Sequence, residues 1–163
     1  MLWDKLHGNA FTSSSSTGSD TSRLAPSECL DAGRKILRPV FLTHFFVFVG
    51  SSTGSSSGGA FAGGAYVRWR RRFEFHFRHS LGLVTYRIGT VSLSHDDYMW
   101  ALLGSHGGNR YPNFSDDPLQ QFRDLRYDLE NYCKDFLGGS GREFLDCARR
   151  ASRRPRGFAA LNT

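Results

Sequence analysis

The chain has 163 residues, of which 39% are apolar, and a formal net charge of +6. This length is enough for one domain with a modest core. The three cysteines form no CxxC pair, which argues against a disulfide framework and a structural zinc site. No apolar run reaches the roughly 20 residues that a membrane helix needs, so no transmembrane span is predicted.

Residues 1–38 are predicted to be largely disordered. They are rich in serine, with an unbroken run at Ser13–Ser16, and such sequences bury too little apolar surface to offset the entropy lost on ordering. Within this region we expect one short helix over residues 27–37. Ser27 would cap it, and Pro39 would end it.

The first strand is predicted at residues 40–49. Its β-branched and aromatic residues are typical of a strand that is buried on both faces. The basic residues before it also fit a targeting segment, so secretion stays open, although the cytoplasm is the expected location. Residues 50–64 are rich in glycine and serine and are expected to form a flexible connector.

A long strand is predicted at residues 66–79, because apolar and polar residues alternate there with a period of two. A turn at 79–82, with Gly82 at positive φ, would lead into an antiparallel strand over 83–93. One face of the long strand would carry a row of mostly basic residues: Arg68, Arg70, Arg72, Glu74, His76 and Arg78.

Three helices are predicted after the strands. The first covers 95–103, with Ser94 as its cap and Gly104 at its end. The second covers 118–137, with Asp117 before it and apolar residues at helical spacing. The third covers 141–150, where a capping box starts at Ser140.

This order of elements indicates an α+β fold, in which a small antiparallel sheet is covered by two or three helices. The α+β domain is expected at 39–139. A short helix and a basic tail would follow at 140–163.

The sequence contains no motif that identifies a catalytic, metal or cofactor site, and no cofactor is expected. His95, Asp96 and Asp97 form a possible metal-binding triplet, but acidic residues at a helix start are explained by capping alone. No nucleophile elbow and no phosphate-binding loop is present.

The leading functional hypothesis is a non-enzymatic protein-interaction or accessory module, with a protein partner and an undetermined oligomeric state. One alternative is nucleic-acid binding through the arginine row and the basic tail. The other is an enzyme whose site is not visible in the sequence. The candidate surface residues, taken from the strand, the 104–114 loop and the tail, are Arg68, Arg70, Arg72, His76, Arg78, Arg110, Tyr111, Arg149, Arg150, Arg153 and Arg154.

Overall fold

The computed structural model describes residues 24–104 and 107–154 and confirms the small α+β fold. The predicted disorder before residue 24 lies outside the described residues. The strands follow one another as an antiparallel meander in the order β1-β2-β3-β4-β5. They are β1 (Val47–Ser56), β2 (Gly59–Arg68), β3 (Arg71–Phe77), β4 (Leu81–Ile88) and β5 (Val91–Ser94). The helices are α1 (Pro26–Thr43), α2 (His95–Leu103), α3 (Gln120–Tyr132), α4 (Lys134–Leu137) and α5 (Arg142–Ala151).

All five helices lie on one side of the sheet. Phe73, Phe75 and Phe77 of β3 are buried on that side, and Phe75 and Phe77 pack against Phe122 of α3. No described helix covers the opposite face. The core cluster runs from Cys29 to Ala151, so it extends beyond the predicted limits of 39 and 139 at both ends.

Helix α1 contains the helix predicted at 27–37 and continues through the predicted start of the first strand at residue 40. Residues 26–43 are helical, with Ala25 rather than Ser27 at the N-cap and Pro39 inside the helix. Strand β1 begins only at Val47. The helix tolerates Pro39 in its interior because its buried residues recur at helical spacing and pack on the sheet and α3. These residues are Cys29, Leu30, Gly33, Leu37, Val40 and Phe41.

The predicted flexible connector at 50–64 is instead the β1–β2 hairpin, with Ser56 paired to Gly59. Its glycines leave room for aromatic rings. A Cβ on Gly54 would lie 2.6 Å from the Phe61 ring, and one on Gly64 would lie 2.7 Å from the Phe48 ring. The low-complexity composition therefore reflects close packing of rings over backbone.

The predicted single strand at 66–79 is two strands. The chain turns at Trp69 and Arg70, and Arg68 pairs with Arg71 across the β2–β3 hairpin. The turn contains no glycine, asparagine or proline, so the usual sequence signal is missing. The next turn differs as well, because Leu83 takes a positive φ of 46° at a bulge and Gly82 does not.

The helices after the sheet follow the predictions closely. Helix α2 has the predicted bounds, and the Ser94 hydroxyl accepts a hydrogen bond from the Asp97 N–H. The predicted 118–137 helix divides at Cys133 into α3 and α4. Helix α5 begins at Arg142, with Gly141 rather than Ser140 at the N-cap. The Ser140 hydroxyl accepts the N–H of Arg142, and the carboxylate of Asp135 accepts the N–H groups of Gly141 and Phe144.

Candidate interaction surface

The structure does not bring the predicted arginine row together on one face. Arg68 turns to the helical side and donates to the carbonyls of His44 and Leu137. Arg71 does the same with the carbonyls of Asp135, Phe136 and Gly139. These two guanidiniums therefore bond to carbonyl groups at the ends of α1 and α4, where helices leave carbonyls in need of donors.

Arg72 and His76 do point to the uncovered face of the sheet. Arg72 is partly neutralised there, because its Nε lies 2.7 Å from Glu74 Oε1. Arg87, on the neighbouring strand, approaches the same carboxylate at 3.9 Å. His76 is exposed beside Gly63, where a Cβ would lie 2.7 Å from the imidazole Nδ1.

Arg70 and Arg78 lie at opposite ends of β3. Arg70 is exposed in the β2–β3 turn, next to Trp69. Arg78 donates to the hydroxyl of Ser56 at the β1–β2 turn, 2.8 Å away. The five candidate surface residues of the row therefore do not form one continuous surface.

The 104–114 loop contributes one of its two candidates to the surface. Arg110 is exposed, with its guanidinium 3.6 Å from the centre of the Tyr127 ring. Tyr111 is buried, and its hydroxyl donates to the carbonyl of Leu81. The prediction that Tyr111 is a surface anchor is therefore wrong, because its ring belongs to the core.

The described tail arginines lie on and after α5 and are mostly engaged. Arg149 pairs with Asp146, and Arg150 contacts the sulfur of Cys147. Arg154 binds the carboxylates at the start of α2 and lies over Trp100. Arg153 is exposed. Up to residue 154 this segment packs back on the domain, and the rest of the predicted tail lies outside the described residues.

The most enzyme-like constellation is a buried polar chain. His95 Nδ1 lies 2.8 Å from the Tyr86 hydroxyl, and its Nε2 lies 3.2 Å from Asp128 Oδ2. Cys133 Sγ continues the chain, 3.7 Å from the same hydroxyl. Burial raises the pKa of both Tyr86 and Cys133 well above their ordinary values.

This chain is closed to substrate. His95 is 2% exposed and Asp128 is fully buried. Asp128 also accepts the backbone N–H groups of Arg110 and Tyr111, so it anchors the loop before α3. In the described part of the chain, no three His, Cys, Asp or Glu side chains are arranged to hold a metal ion.

A different surface stands out, and the sequence reasoning missed it. Phe45 is 81% exposed and Trp69 is 91% exposed, at the end of the sheet where α1 meets β1 and β2 turns into β3. Val47 and Val67 are paired neighbours on the uncovered face beside them. We call this surface the aromatic end: Phe45, Val47, Val67 and Trp69.

Both aromatic residues occupy backbone positions that ordinarily favour glycine. Phe45 follows the C-cap of α1 with φ 61°, and its N–H bonds to the carbonyl of Leu42. Trp69 has φ 52° in the hairpin turn. Left-handed backbone costs a residue with a Cβ about 1–2 kcal/mol. Neither ring recovers this by burial, since both are largely in solvent.

A pocket lies between the two rings. Its volume is about 430 Å³, and its lining is Thr43, His44, Phe45, Arg68, Trp69 and Gly138. Arg68 is the one charged side chain among them, and its guanidinium lies 5.3 Å from the centre of the Trp69 ring. Burial, followed by the charges of Arg68 and Arg71, lowers the pKa of His44. The pocket is therefore lined by two aromatic rings and one guanidinium.

The exposed Val49 lies two positions from Val47 on the same face of β1, whereas Leu83 and Phe114 are exposed apolar side chains far from the aromatic end. Leu83 is 79% exposed at the bulge of β4, at the opposite end of the sheet. Phe114 is exposed in the loop before α3. Isolated exposed apolar residues are ordinary on protein surfaces, whereas grouped ones indicate binding.

Comparison with protein families, curated proteins and solved structures found no match for this chain. Among the described helices, none is both long enough and apolar enough to cross a bilayer.

Proposed function

We propose that the protein is a non-enzymatic protein-interaction module that binds a segment of a partner protein through the aromatic end. The observation that carries the proposal is the placement of Phe45 and Trp69. Each holds a large ring in solvent from a backbone conformation that costs stability. Strained residues cluster at binding sites, and Phe45 and Trp69 line one pocket, whereas Leu83, which is also exposed at a positive φ, has no second strained residue beside it among the described residues.

The composition of the surface supports a protein partner. Tryptophan and arginine are the residue types most enriched where interfaces gain their binding energy, and Trp69 lies between Arg68 and Arg70. Val47 and Val67 extend the apolar area along the uncovered face of the sheet. A central apolar patch with a polar rim is the usual anatomy of an interface.

Nucleic-acid binding stays an untested alternative, and the geometry gives it less support. A protein that follows a phosphate backbone needs cations in a line, whereas Arg72 is paired with Glu74 and Arg78 lies at the far end of β3. An enzymatic role has equally little support, because the buried chain around His95 is closed to solvent.

The test is a selection from a displayed library of random peptides on the full chain and on two variants. Trp69→Ala removes the exposed ring, and Leu83→Ala removes a similarly exposed apolar side chain at the other end of the sheet. We expect the natural chain and Leu83→Ala to enrich the same peptides, and Trp69→Ala to lose them. Enrichment that is unchanged by Trp69→Ala, or no enrichment on any chain, would contradict the proposal.

A further inference from the structure

The aromatic pocket carries enough chemistry to specify what kind of segment enters it. We propose that it receives an apolar side chain from an acidic peptide segment, and that a carboxylate of this segment pairs with Arg68. This inference rests on the proposed function and adds the chemistry of the partner.

The residues that line the pocket determine the shape of the inserted group. The rings of Phe45 and Trp69 line it from two different turns. Gly138 lines it as well, and a Cβ on Gly138 would lie 2.8 Å from His44 Nδ1, so the glycine keeps the pocket open. An apolar side chain such as Phe or Leu can contact both rings at once and release water from the pocket.

The charge of this region determines the polar character of the segment. Arg68 and Arg71 occupy paired positions on β2 and β3, and Arg70 lies in the turn between them. Within the described residues, none of the three is within 4 Å of a carboxylate, since Arg68 and Arg71 bond to carbonyl oxygens. Three neighbouring cations without a paired acid attract an anionic partner.

The neighbouring acid offsets only part of this positive charge. Asp135 favours the charged form of Arg71, but its carboxylate bonds to the N–H groups of Gly141 and Phe144 and forms no ion pair with Arg68 or Arg70. Arg68 and Arg71 lie at paired positions of the β2–β3 hairpin, so their like charges are close together. Burial, followed by the charge of Arg68, also lowers the pKa of Arg71. A carboxylate supplied from outside would pair with these like charges.

A peptide fits these observations better than a nucleic acid or a second copy of the chain. Single-stranded nucleic acid requires several stacking rings along a cationic groove, and here the cations end where Arg72 meets Glu74. A second copy would bring its own arginine cluster to the same surface, and like charges would oppose that pairing.

The experiment measures fluorescence anisotropy of labelled synthetic peptides with the full chain. One peptide has a central Phe flanked on both sides by Glu, and matched peptides carry Gln or Lys in place of every Glu. We expect the Glu peptide to bind at least about tenfold more tightly than the Gln peptide, because close charge pairs contribute this much at interfaces. The Lys peptide should not bind, and added salt should weaken the Glu peptide.

Variants of the chain locate the binding. Trp69→Ala should lose the Glu peptide, and Leu83→Ala should keep it. Arg68 also supports the fold through its carbonyl contacts, so the exposed Arg70→Gln provides a second variant, expected to weaken the Glu peptide severalfold. Thermal melts of each variant identify any loss that comes from unfolding.

Four results would overturn the inference. Equal binding of the Glu and Gln peptides, both lost in Trp69→Ala, would leave the proposed function intact and remove the acidic partner. Tighter binding of an oligothymidine than of the Glu peptide at the same salt would assign the surface to nucleic acid. Self-association that is seen by sedimentation and lost in Trp69→Ala would assign the surface to a second copy of the chain. Binding of the Glu peptide that Trp69→Ala does not change would contradict both proposals.

Discussion

The substitution Asp128→Asn should destabilise the domain strongly, although it changes the shape of the side chain very little. Asp128 is fully buried, and its Oδ1 accepts the N–H of Arg110 at 2.7 Å. Its Oδ2 accepts the N–H of Tyr111 at 2.9 Å and lies 3.2 Å from His95 Nε2. An amide offers one acceptor oxygen, so either orientation of asparagine points its NH₂ group at a donor.

The expected loss of unfolding free energy in Asp128→Asn follows from these contacts. A buried donor left without its acceptor costs about 1–3 kcal/mol, and hydrogen bonds to a charged acceptor are stronger than neutral ones. We therefore expect the free energy of unfolding to fall by about 2–4 kcal/mol in urea titrations. Glu130→Gln is the matched control. It lies on the exposed face of the same helix and, by removing the surface pair with Arg126, should cost less than about 1 kcal/mol. Equal stability of Asp128→Asn and the natural chain would refute the assigned network.

The remaining predictions concern the core, the pH dependence and the strained turn. Gly33→Ala should lower the free energy of unfolding by about 1–2 kcal/mol in urea titrations, because the new Cβ would lie 2.4 Å from the Phe122 ring. This loss should outweigh the better helix propensity of alanine. Phe122→Leu should reduce the penalty of Gly33→Ala, and the control Gly82→Ala should cost little because open space surrounds Gly82. The pKa of His44 is below its ordinary value of 6.5 in the folded chain, so its contribution to stability is complete above that pH and is lost as the pH falls. His44→Gln should flatten the pH dependence of the melting temperature in acid, and an unchanged profile would contradict this. Trp69→Gly should keep or raise the melting temperature by relieving the left-handed turn while it abolishes peptide binding, and a large loss of stability would show that the ring serves the fold.

Local signals in the sequence predicted much of the second half of the fold. The Ser94 cap and the Gly104 end define α2, and apolar spacing locates α3. The helix predicted at 27–37 ends short of the end of α1, because Pro39 and a β-branched, aromatic run favour a strand locally. The packing of α1 against the sheet and α3 overrides that preference.

The candidate site could be predicted from sequence only in part. The arginines were recognised, but their directions depend on a hairpin turn at Trp69 that has no glycine to mark it. Phe45 lies inside an apolar run, and only the end of α1 places its ring in solvent. Asp128 resembles any acid of an exposed helix face until the loop carrying Tyr111 folds over it. Each of these features depends on contacts between residues that are distant in the chain.

The most direct test of the account follows the indole N–H signals of the tryptophans by NMR as a selected or Glu-flanked peptide is added. The chain has three tryptophans, and Trp69→Phe assigns the signal of the aromatic end. Trp100 serves as an internal reference, since it packs under Arg154 on α2. The account predicts a saturable shift of the Trp69 signal with little change at Trp100. A peptide that binds while the Trp69 signal stays in place would contradict it.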